Sequence, residues 1–241
     1  MPQSHTDVTK TIPRHIGLII DGNRRWARQH GLPTLEGHRR GFNRVKKIAE
    51  EAFDSGVEYV SAYIFSTENW NREKQEVDYL MDLALKIFKT DLKKIHNKGF
   101  RIRWFGVPEK LSEKLKKAIY DSEQLTIGNT GGQLCLCFNY GGKLEIVEAL
   151  KQIVRDGIAV DDVTEEAVSS RLMNPDVPDV DLLIRTSGEQ RISNFMLWRM
   201  AYAEMLFVNK HFPAFTVGDL HRAIDDYCSR ERRFGADSKK S

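Results

Sequence analysis

HIGLIIDGNRRWAR occupies residues 15–28, and its pattern is that of a β-strand that passes through a tight turn into an α-helix. The apolar strand ends in Asp21, Gly22 and Asn23 form the turn, and two arginines stand in the first helical turn. The start of a helix presents backbone N–H groups without intrahelical partners at the positive end of the helix dipole. The turn is therefore suited to binding a phosphate or a diphosphate.

Asp21 adds a carboxylate to this turn. Mg²⁺ is commonly held by one or two carboxylates together with the phosphates of a substrate, so Asp21 is a candidate magnesium ligand. An ordinary strand-to-helix turn with a capping aspartate would contain the same residue types. The turn by itself leaves both interpretations open.

Two further apolar strands end in polar segments of the same kind. The run VDLLI at 180–184 leads into RTSGEQRISNF at 185–195, and the strand at 59–65 leads into the polar residues 66–72. Arginine grips phosphate oxygens in a bidentate manner, so residues 185–193 predict a second anion-binding cradle beside the first, which is formed by residues 21–25. The three strand ends together predict one crevice at the carboxyl edge of an open α/β sheet.

Strand and helix patterns alternate along nearly the whole chain. Strands are predicted at 15–21, 59–65, 101–105, 133–138, 180–185 and 205–209, and helices at 23–30, 39–55, 74–98, 109–126, 143–156, 164–172 and 217–231. This alternation predicts an α/β fold in which helices flank a largely parallel, six-stranded sheet. We expect one domain at 12–235, with disordered segments at 1–11 and 236–241.

Composition narrows the class of protein. The 241 residues include 37 basic and 34 acidic side chains, and the formal net charge of +3 is spread along the chain, which argues against nucleic-acid binding. No apolar run approaches the ~18 residues of a membrane span, and the polar N-terminal segment lacks the apolar region of a signal peptide. We therefore expect a cytoplasmic protein. Cys135 and Cys137 stand two apart in a strand, which predicts small buried groups on one face.

Six motifs resemble those of the cis-prenyltransferases, the isoprenyl transferases typified by undecaprenyl diphosphate synthase. They are HIGLIIDGN-x-RWA from residue 15, GH at 37–38, FSTENW at 65–70, NYGG at 139–142, RTSGE-x-R at 185–191 and RERRFG at 230–235. They follow the order of that family and span nearly the whole chain. The resemblance implies a homodimeric, Mg²⁺-dependent enzyme with a hydrophobic tunnel. Its reaction would be cis-prenyl chain elongation, in which isopentenyl diphosphate condenses onto an allylic diphosphate such as farnesyl diphosphate.

The resemblance also assigns site residues. Asp21 and Asn69 would be catalytic, and Asp21 would hold Mg²⁺ together with Glu204 from the partner subunit. Arg25, His38 and Arg72 would bind the leaving diphosphate, whereas Arg185, Arg191 and Ser193 would bind isopentenyl diphosphate. The full set of predicted substrate-binding residues is Gly22, Asn23, Arg24, Arg25, Trp26, His38, Ser66, Thr67, Glu68, Trp70, Arg72, Arg185, Arg191 and Ser193.

Three of these residues have a second interpretation. A neutral amide is a poor base, so Asn69 is interpreted as a group that orients the substrate, with a diphosphate oxygen or Asp21 as the proton acceptor. His38, predicted at a helix start, is either a cap or helix-dipole partner or a diphosphate contact, and the resemblance favours the contact. Trp70 is expected to pack against the substrate or the core.

The product length stays open at this point. The helix predicted at 74–98 would be about 38 Å long at about 1.5 Å per residue, and its apolar surface either packs in the core or lines a tunnel for the prenyl tail. The resemblance favours a polyprenyl diphosphate such as undecaprenyl diphosphate, the carrier lipid of cell-wall synthesis, released by a peripheral contact with a membrane. Ile64 and Phe88 are bulky, which leaves a short- or medium-chain synthase as an alternative. A non-catalytic scaffold subunit is a third candidate, disfavoured by the complete set of polar site residues.

Arg24, Thr34 and Gln190 depart from the family pattern, and their effect on substrate binding is open.

Overall fold

The computed structural model describes residues 11–232, which form a six-stranded sheet covered by helices. The strands are β1 (His15–Ile19), β2 (Tyr59–Ser66), β3 (Arg101–Phe105), β4 (Gln133–Tyr140), β5 (Leu182–Thr186) and β6 (Glu204–Val208). They lie in the order β3-β4-β2-β1-β5-β6, and every neighbouring pair is parallel. The predicted fold class is confirmed, with every predicted strand found to within two residues at each end.

The helices follow the predicted alternation. They are α1 (Asn23–Gln29), α2 (Thr34–Asp54), α3 (Lys74–Lys86), α4 (Leu92–Asn97), α5 (Glu113–Thr126), α6 (Gly142–Arg155), α7 (Glu165–Ser169) and α8 (Val217–Ser229). The segments predicted to be disordered lie outside the described residues, apart from Thr11.

Four helix predictions were wrong in extent, and the smallest difference is at α7, which ends at Ser169 rather than at residue 172. α2 begins at Thr34 rather than at residue 39, directly after Pro33, because a proline is tolerated where a helix starts. α5 begins four residues late, where the Ser112 hydroxyl accepts the N–H of Leu115 as an N-cap. The helix predicted at 74–98 is divided into α3 and α4 by a π-helical turn, Ile87–Asp91.

The sheet separates two apolar cores. Alternate residues of β2 point to opposite faces, so Val60 and Ala62 pack in the larger core and Tyr59 and Tyr63 in the smaller one. Cys135 and Cys137, both fully buried in the smaller core, confirm the prediction for this pair, and burial raises the pKa of the Cys135 thiol to about 12. Such thiols are inert at neutral pH.

The parallel arrangement positions the candidate site. β1 is hydrogen-bonded to β2 on one side and to β5 on the other, so the carboxyl ends of these three strands meet at one edge of the sheet. The polar segments after the three strands are therefore neighbours. Within residues 11–232, none of the helices combines the length and the apolar character that a membrane span requires.

Candidate active site

The turn after β1 accepts glycine alone at its first position. Gly22 has a φ of +96°, a conformation that favours glycine. A Cβ atom there would lie 2.0 Å from Ser187 Oγ and 2.6 Å from His211 Nδ1. The close approach of the chain segments after β1, β5 and β6 therefore requires the glycine of the motif.

A cavity of about 290 Å³ opens beside this turn. We call it the arginine cavity, and it is lined by Ile20, Asp21, Gly22, Asn23, Arg24, Arg25, Arg28, His38 and Arg72. Four guanidinium groups and one carboxylate in its wall make it a site for a polyvalent anion. The three side chains predicted to bind the leaving diphosphate, those of Arg25, His38 and Arg72, thus all line one cavity.

Asp21 connects the arginine cavity to the second cradle. Its Oδ1 atom accepts from the Gly22 N–H at 2.6 Å and lies 3.2 Å from Arg25 Nη2, and its Oδ2 atom accepts from Arg185 Nη2 at 3.0 Å. Burial by itself would raise the pKa of Asp21, but hydrogen bonding from Arg185 and the charges of both arginines outweigh it, so the pKa is lowered. Asp21 is therefore ionised at neutral pH.

The second cradle lies in the loop after β5. Arg185 is 3% exposed, and its Nη1 atom donates to Ser193 Oγ at 2.9 Å and to the carbonyl oxygen of Arg191. Ser187 and Ser193 both have positive φ values, +77° and +48°, which are strained for residues other than glycine. Strain of this kind collects at functional sites, where the surrounding structure maintains it.

Glu189 joins the two cradles, a role that the sequence did not reveal. Its Oε1 atom accepts from Arg25 Nη1 at 2.6 Å, and its Oε2 atom accepts from Arg191 Nη1. One carboxylate therefore holds an arginine of each cradle. The sequence did offer one sign of this role, because Glu189 stands between the two arginines of the RTSGE-x-R motif.

The segment after β2 forms a 3-10 helical turn, Thr67–Asn71. The Asn69 Oδ1 atom accepts from the Ser66 N–H at 3.2 Å and closes a capping box. Glu68 Oε1 accepts from Asn194 Nδ2 at 2.8 Å, so this turn is tied to the loop after β5. Trp70 stacks edge-on to a core phenylalanine and donates from Nε1 to Asn139 Oδ1 at 2.8 Å, which favours the core interpretation of Trp70.

His38 lies in the second turn of α2 and not at its start, because α2 begins earlier than predicted. The cap interpretation is therefore wrong. His38 Nε2 lies 3.1 Å from Glu76 Oε1, which also accepts from Arg72 Nη1 at 2.9 Å, while Glu76 Oε2 lies 3.5 Å from Arg24 Nη1. Burial lowers the pKa of His38, and Glu76 opposes this shift. Glu76 is not among the residues predicted from the sequence, although its spacing of four residues from Arg72 was a signal.

Trp26 and Glu204 lie away from both cradles. Trp26 is buried and packs against His30, with the Arg40 guanidinium 5.0 Å from its ring centre, and it borders a separate groove. Glu204 starts β6, and the strand register places it level with Ile16. Asp21 follows Ile16 by five residues, which is about 16 Å along the strands, so Glu204 cannot join Asp21 of the same chain.

A small apolar cavity of about 20 Å³ adjoins the arginine cavity. The two share Ile20, Asn23 and His38, and the further lining residues are Phe42, Ile64, Leu80, Leu83, Ala84, Ile87 and Phe138. This volume corresponds to about one water molecule. Ile64 lies in the wall of this cavity. Phe88 does not, because it packs in the larger core, and the preceding residue, Ile87, lines the cavity instead.

Comparison with known proteins identifies the family. A family model described as "Putative undecaprenyl diphosphate synthase" matches residues 19–235. The chain belongs to the cis-prenyltransferase family. It is accordingly an isoprenyl transferase, and the resemblance seen in its motifs is confirmed.

Relatives of this cis-prenyltransferase match it almost from end to end. An undecaprenyl diphosphate synthase of Vibrio parahaemolyticus, described as specific for (2E,6E)-farnesyl diphosphate, is 43% identical over 237 residues, which are 97% of this chain and 94% of that protein. An isoprenyl transferase of Agrobacterium fabrum is 43% identical over 235 residues, with coverage of 96% and 95%.

Solved structures agree with this assignment. Lavandulyl diphosphate synthase from Lavandula x intermedia, in complex with dimethylallyl diphosphate, superposes with a TM-score of 0.89 at 37% identity and covers 93% of this chain and 98% of its own. A structure from Campylobacter jejuni, described as a probable undecaprenyl diphosphate synthase, has a TM-score of 0.80 at 29% identity, with coverage of 93% and 99%. Proteins named for different products thus share this fold, so the fold does not determine product length.

Proposed function

We propose that this cis-prenyltransferase condenses isopentenyl diphosphate with an allylic diphosphate, farnesyl diphosphate or a similar one, in a Mg²⁺-dependent reaction. The observation that carries the proposal is the position of Asp21, which is ion-paired to Arg25 of the first cradle and to Arg185 of the second. Two cationic cradles that meet on one ionised carboxylate suit two diphosphates and a divalent cation. The adjoining apolar cavity supplies a start for the prenyl tail.

Each cradle takes one substrate. The allylic diphosphate occupies the arginine cavity, where the turn at Gly22 and the side chains of His38 and Arg72 hold it. The allylic C–O bond breaks with its electron pair going to the departing diphosphate, whose growing charge the guanidinium groups stabilise. The double bond of isopentenyl diphosphate, held by Arg185 and Arg191, supplies the pair that forms the new C–C bond. The carbocation that results then loses a proton to an oxygen of the departing diphosphate or to Asp21, and the C–H electron pair forms the cis double bond.

The donor groups fit Mg²⁺ if a substrate diphosphate supplies the remaining ligands. Asp21 is an ionised hard-oxygen donor, and one carboxylate plus phosphate oxygens is a common Mg²⁺ arrangement. Across the described part of the chain, no three acidic, histidine or cysteine side chains gather as a protein-only metal site requires. When bound, the cation neutralises charge on the departing diphosphate.

We further propose that the enzyme acts as a homodimer. Glu204 lies at the opposite edge of its own sheet from Asp21, so it can act as a metal ligand only toward the site of a second copy. Asn69 is held inside its own turn, which supports a role in orienting the isopentenyl group over a role as a base. A cytoplasmic location, with a peripheral membrane contact for product release, completes the proposal.

The leading candidate for the product is a polyprenyl diphosphate such as undecaprenyl diphosphate, in keeping with the names of the relatives. This product would then serve as the lipid carrier for cell-wall synthesis. The small volume of the apolar cavity, with Ile64 in its wall, favours a short- or medium-chain product as the second candidate. In that case the tail would stop growing once it met this wall.

One incubation tests the proposal. Purified protein is mixed with Mg²⁺, farnesyl diphosphate and labelled isopentenyl diphosphate, and the products are sized by chromatography. A long polyprenyl product supports the leading candidate, and a product of one to a few added units supports the second. No incorporation with farnesyl, geranyl or dimethylallyl diphosphate would contradict the proposed reaction.

A further inference from the structure

Glu76 is a buried carboxylate without a role in the reaction described above. It lies in the first turn of α3 and is 7% exposed. Its three cationic or protonatable neighbours, His38, Arg72 and Arg24, all line the arginine cavity. A buried carboxylate is costly unless it is paired, so this arrangement binds the three cavity side chains to one point.

The contact with His38 determines which ring nitrogen is left for a ligand. A carboxylate accepts hydrogen bonds, so His38 Nε2 carries the hydrogen that points to Glu76 and Nδ1 is the free nitrogen. A neutral ring of this tautomer has no hydrogen on Nδ1, whereas the cationic ring can donate from Nδ1 to a diphosphate oxygen. The neighbouring carboxylate stabilises the cationic ring.

The charged groups around His38 come from three elements. Glu76 of α3 favours its protonation, whereas Arg72, just before α3, and Arg24 of α1 oppose it together with burial. A diphosphate in the arginine cavity would add negative charge beside the same ring. Glu76 and the bound diphosphate would therefore act together to make His38 a donor.

We propose that Glu76 is a positioning residue for the leaving diphosphate, because it orients His38 with Nδ1 free for that group and holds Arg72 and Arg24 beside it. Leu80, Leu83 and Ile87, in or directly after α3, line the apolar cavity, so Glu76 also links the diphosphate contacts to the helix that borders the tail. The inference rests on the proposed function.

Glu76→Gln separates positioning from a merely structural role. The amide can still accept a hydrogen bond, but the loss of negative charge makes the cavity more cationic, so inorganic diphosphate should bind at least as tightly. The cationic form of His38 loses its support and its contact with the leaving diphosphate weakens, so kcat should fall about tenfold to a hundredfold. Since removal of a carboxylate lowers the pKa of a neighbouring histidine, the alkaline limb of the kcat profile should move to lower pH.

The experiment compares wild type, Glu76→Gln, Glu76→Asp and the control Glu73→Gln, which makes the same change at an exposed position three residues away. Turnover and KM for the allylic substrate, calorimetric binding of inorganic diphosphate and the melting temperature are measured for each. We expect Glu73→Gln to match the wild type and Glu76→Asp, which keeps the charge, to recover part of kcat.

Wild-type kcat in Glu76→Gln, or a parallel loss of kcat, diphosphate binding and melting temperature, would overturn the inference. Should Glu76→Gln fail to fold, Glu76→Asp carries the test through its lower kcat at unchanged diphosphate affinity. A wild type without turnover would overturn the proposed function and this inference with it. Wild-type turnover combined with an unaffected Glu76→Gln would overturn the inference alone.

Discussion

Glu76 and Glu145 are both buried carboxylates in the first turns of helices, but their partners differ in a way that separates a site from a scaffold. The partners of Glu76 are side chains that line the arginine cavity. Glu145 is 1% exposed and accepts from the Tyr140 hydroxyl and from the Met173 N–H, the latter at 3.2 Å. Arg199, 4.0 Å away, donates instead to backbone carbonyls before β5.

Because their partners differ, Glu76 and Glu145 differ in what they hold in place. Burial raises the pKa of Glu145, because no guanidinium group bonds to it directly. Glu145 therefore secures the chain that leads into β5. Glu76 keeps three cavity side chains in place for a ligand. Burial alone does not identify a functional carboxylate, whereas the direction in which its partners face does.

The largest effect is expected at Asp21, the carboxylate that contacts both cradles. Asp21→Ala should reduce turnover by on the order of a thousandfold or more, because it removes several kcal/mol of charge stabilisation with the metal ligand. The fold should persist, since the Asp21 side chain is only partly buried. Steady-state kinetics and circular dichroism measure the two properties.

Metal removal is the companion measurement for Asp21. EDTA should abolish turnover by the wild type, and added Mg²⁺ should restore it. Near-wild-type activity of Asp21→Ala, or full activity in chelator, would contradict the assignment of Asp21 as a metal ligand.

The two cradles should respond differently to the loss of an arginine. Arg191→Ala should chiefly raise KM for isopentenyl diphosphate, whereas Arg25→Ala should also lower kcat, because Arg25 belongs to the cradle that we propose for the leaving diphosphate. Each loss of a charged contact should cost about 1.5–3 kcal/mol, roughly tenfold to a hundredfold. Identical kinetic profiles for the two variants would remove the case for two separate diphosphate sites.

Glu145 should affect stability and leave catalysis alone. Glu145→Ala deprives a buried hydroxyl and a partly buried N–H of their acceptor, so it should lower the free energy of unfolding by about 1–3 kcal/mol. The kcat of the folded fraction should equal that of the wild type. Chemical denaturation and active-site-normalised kinetics are the measurements, and a specific loss of kcat would give Glu145 a role in the site.

The pH dependence of stability sharpens this contrast. A carboxyl group with a raised pKa contributes stability that is present below its ordinary pKa and is lost as pH rises through the raised value. Glu145→Gln cannot ionise. The melting temperature of Glu145→Gln, relative to that of the wild type, should therefore increase as pH rises from about 4, the ordinary carboxyl range. A constant difference across pH would show that Glu145 does not titrate in the folded protein.

At Ile64 the expected effect is on the length of the product and not on the rate. Ile64→Ala enlarges the apolar cavity and should lengthen the product without reducing incorporation of isopentenyl diphosphate, because the cradles are unchanged. Partial exposure of Ile64 keeps the stability loss near the lower end of about 2–5 kcal/mol. Phe88→Leu, outside this cavity, is the control and should keep the wild-type product lengths. A wild-type product spectrum in folded Ile64→Ala would make Ile64 an ordinary packing residue.

Much of the site could be predicted because its residues lie at strand ends. The alternation of strand and helix patterns predicts parallel strands, and parallel strands bring their carboxyl ends to one edge. The polar groups that follow residues 21, 65 and 184 were therefore expected to be neighbours. The structure places the segments that carry these groups next to one another. Glu76 and Glu189 were missed, although each stands near an arginine in the sequence, because their contacts with His38 and Arg25 join segments that are far apart along the chain.

The sequence by itself determined the sheet, its parallel strands, the glycine turn after Asp21 and the family, since these depend on local periodicity and on contiguous motifs. Only the tertiary structure decided that Trp26 faces away from the arginine cavity and that Glu204 lies at the opposite edge of the sheet from Asp21. It also decided that Ile87 and not Phe88 borders the apolar cavity, where a π-helical turn shifts the helical phase. The physical reason is that side-chain direction and distance between elements depend on packing between segments far apart in sequence.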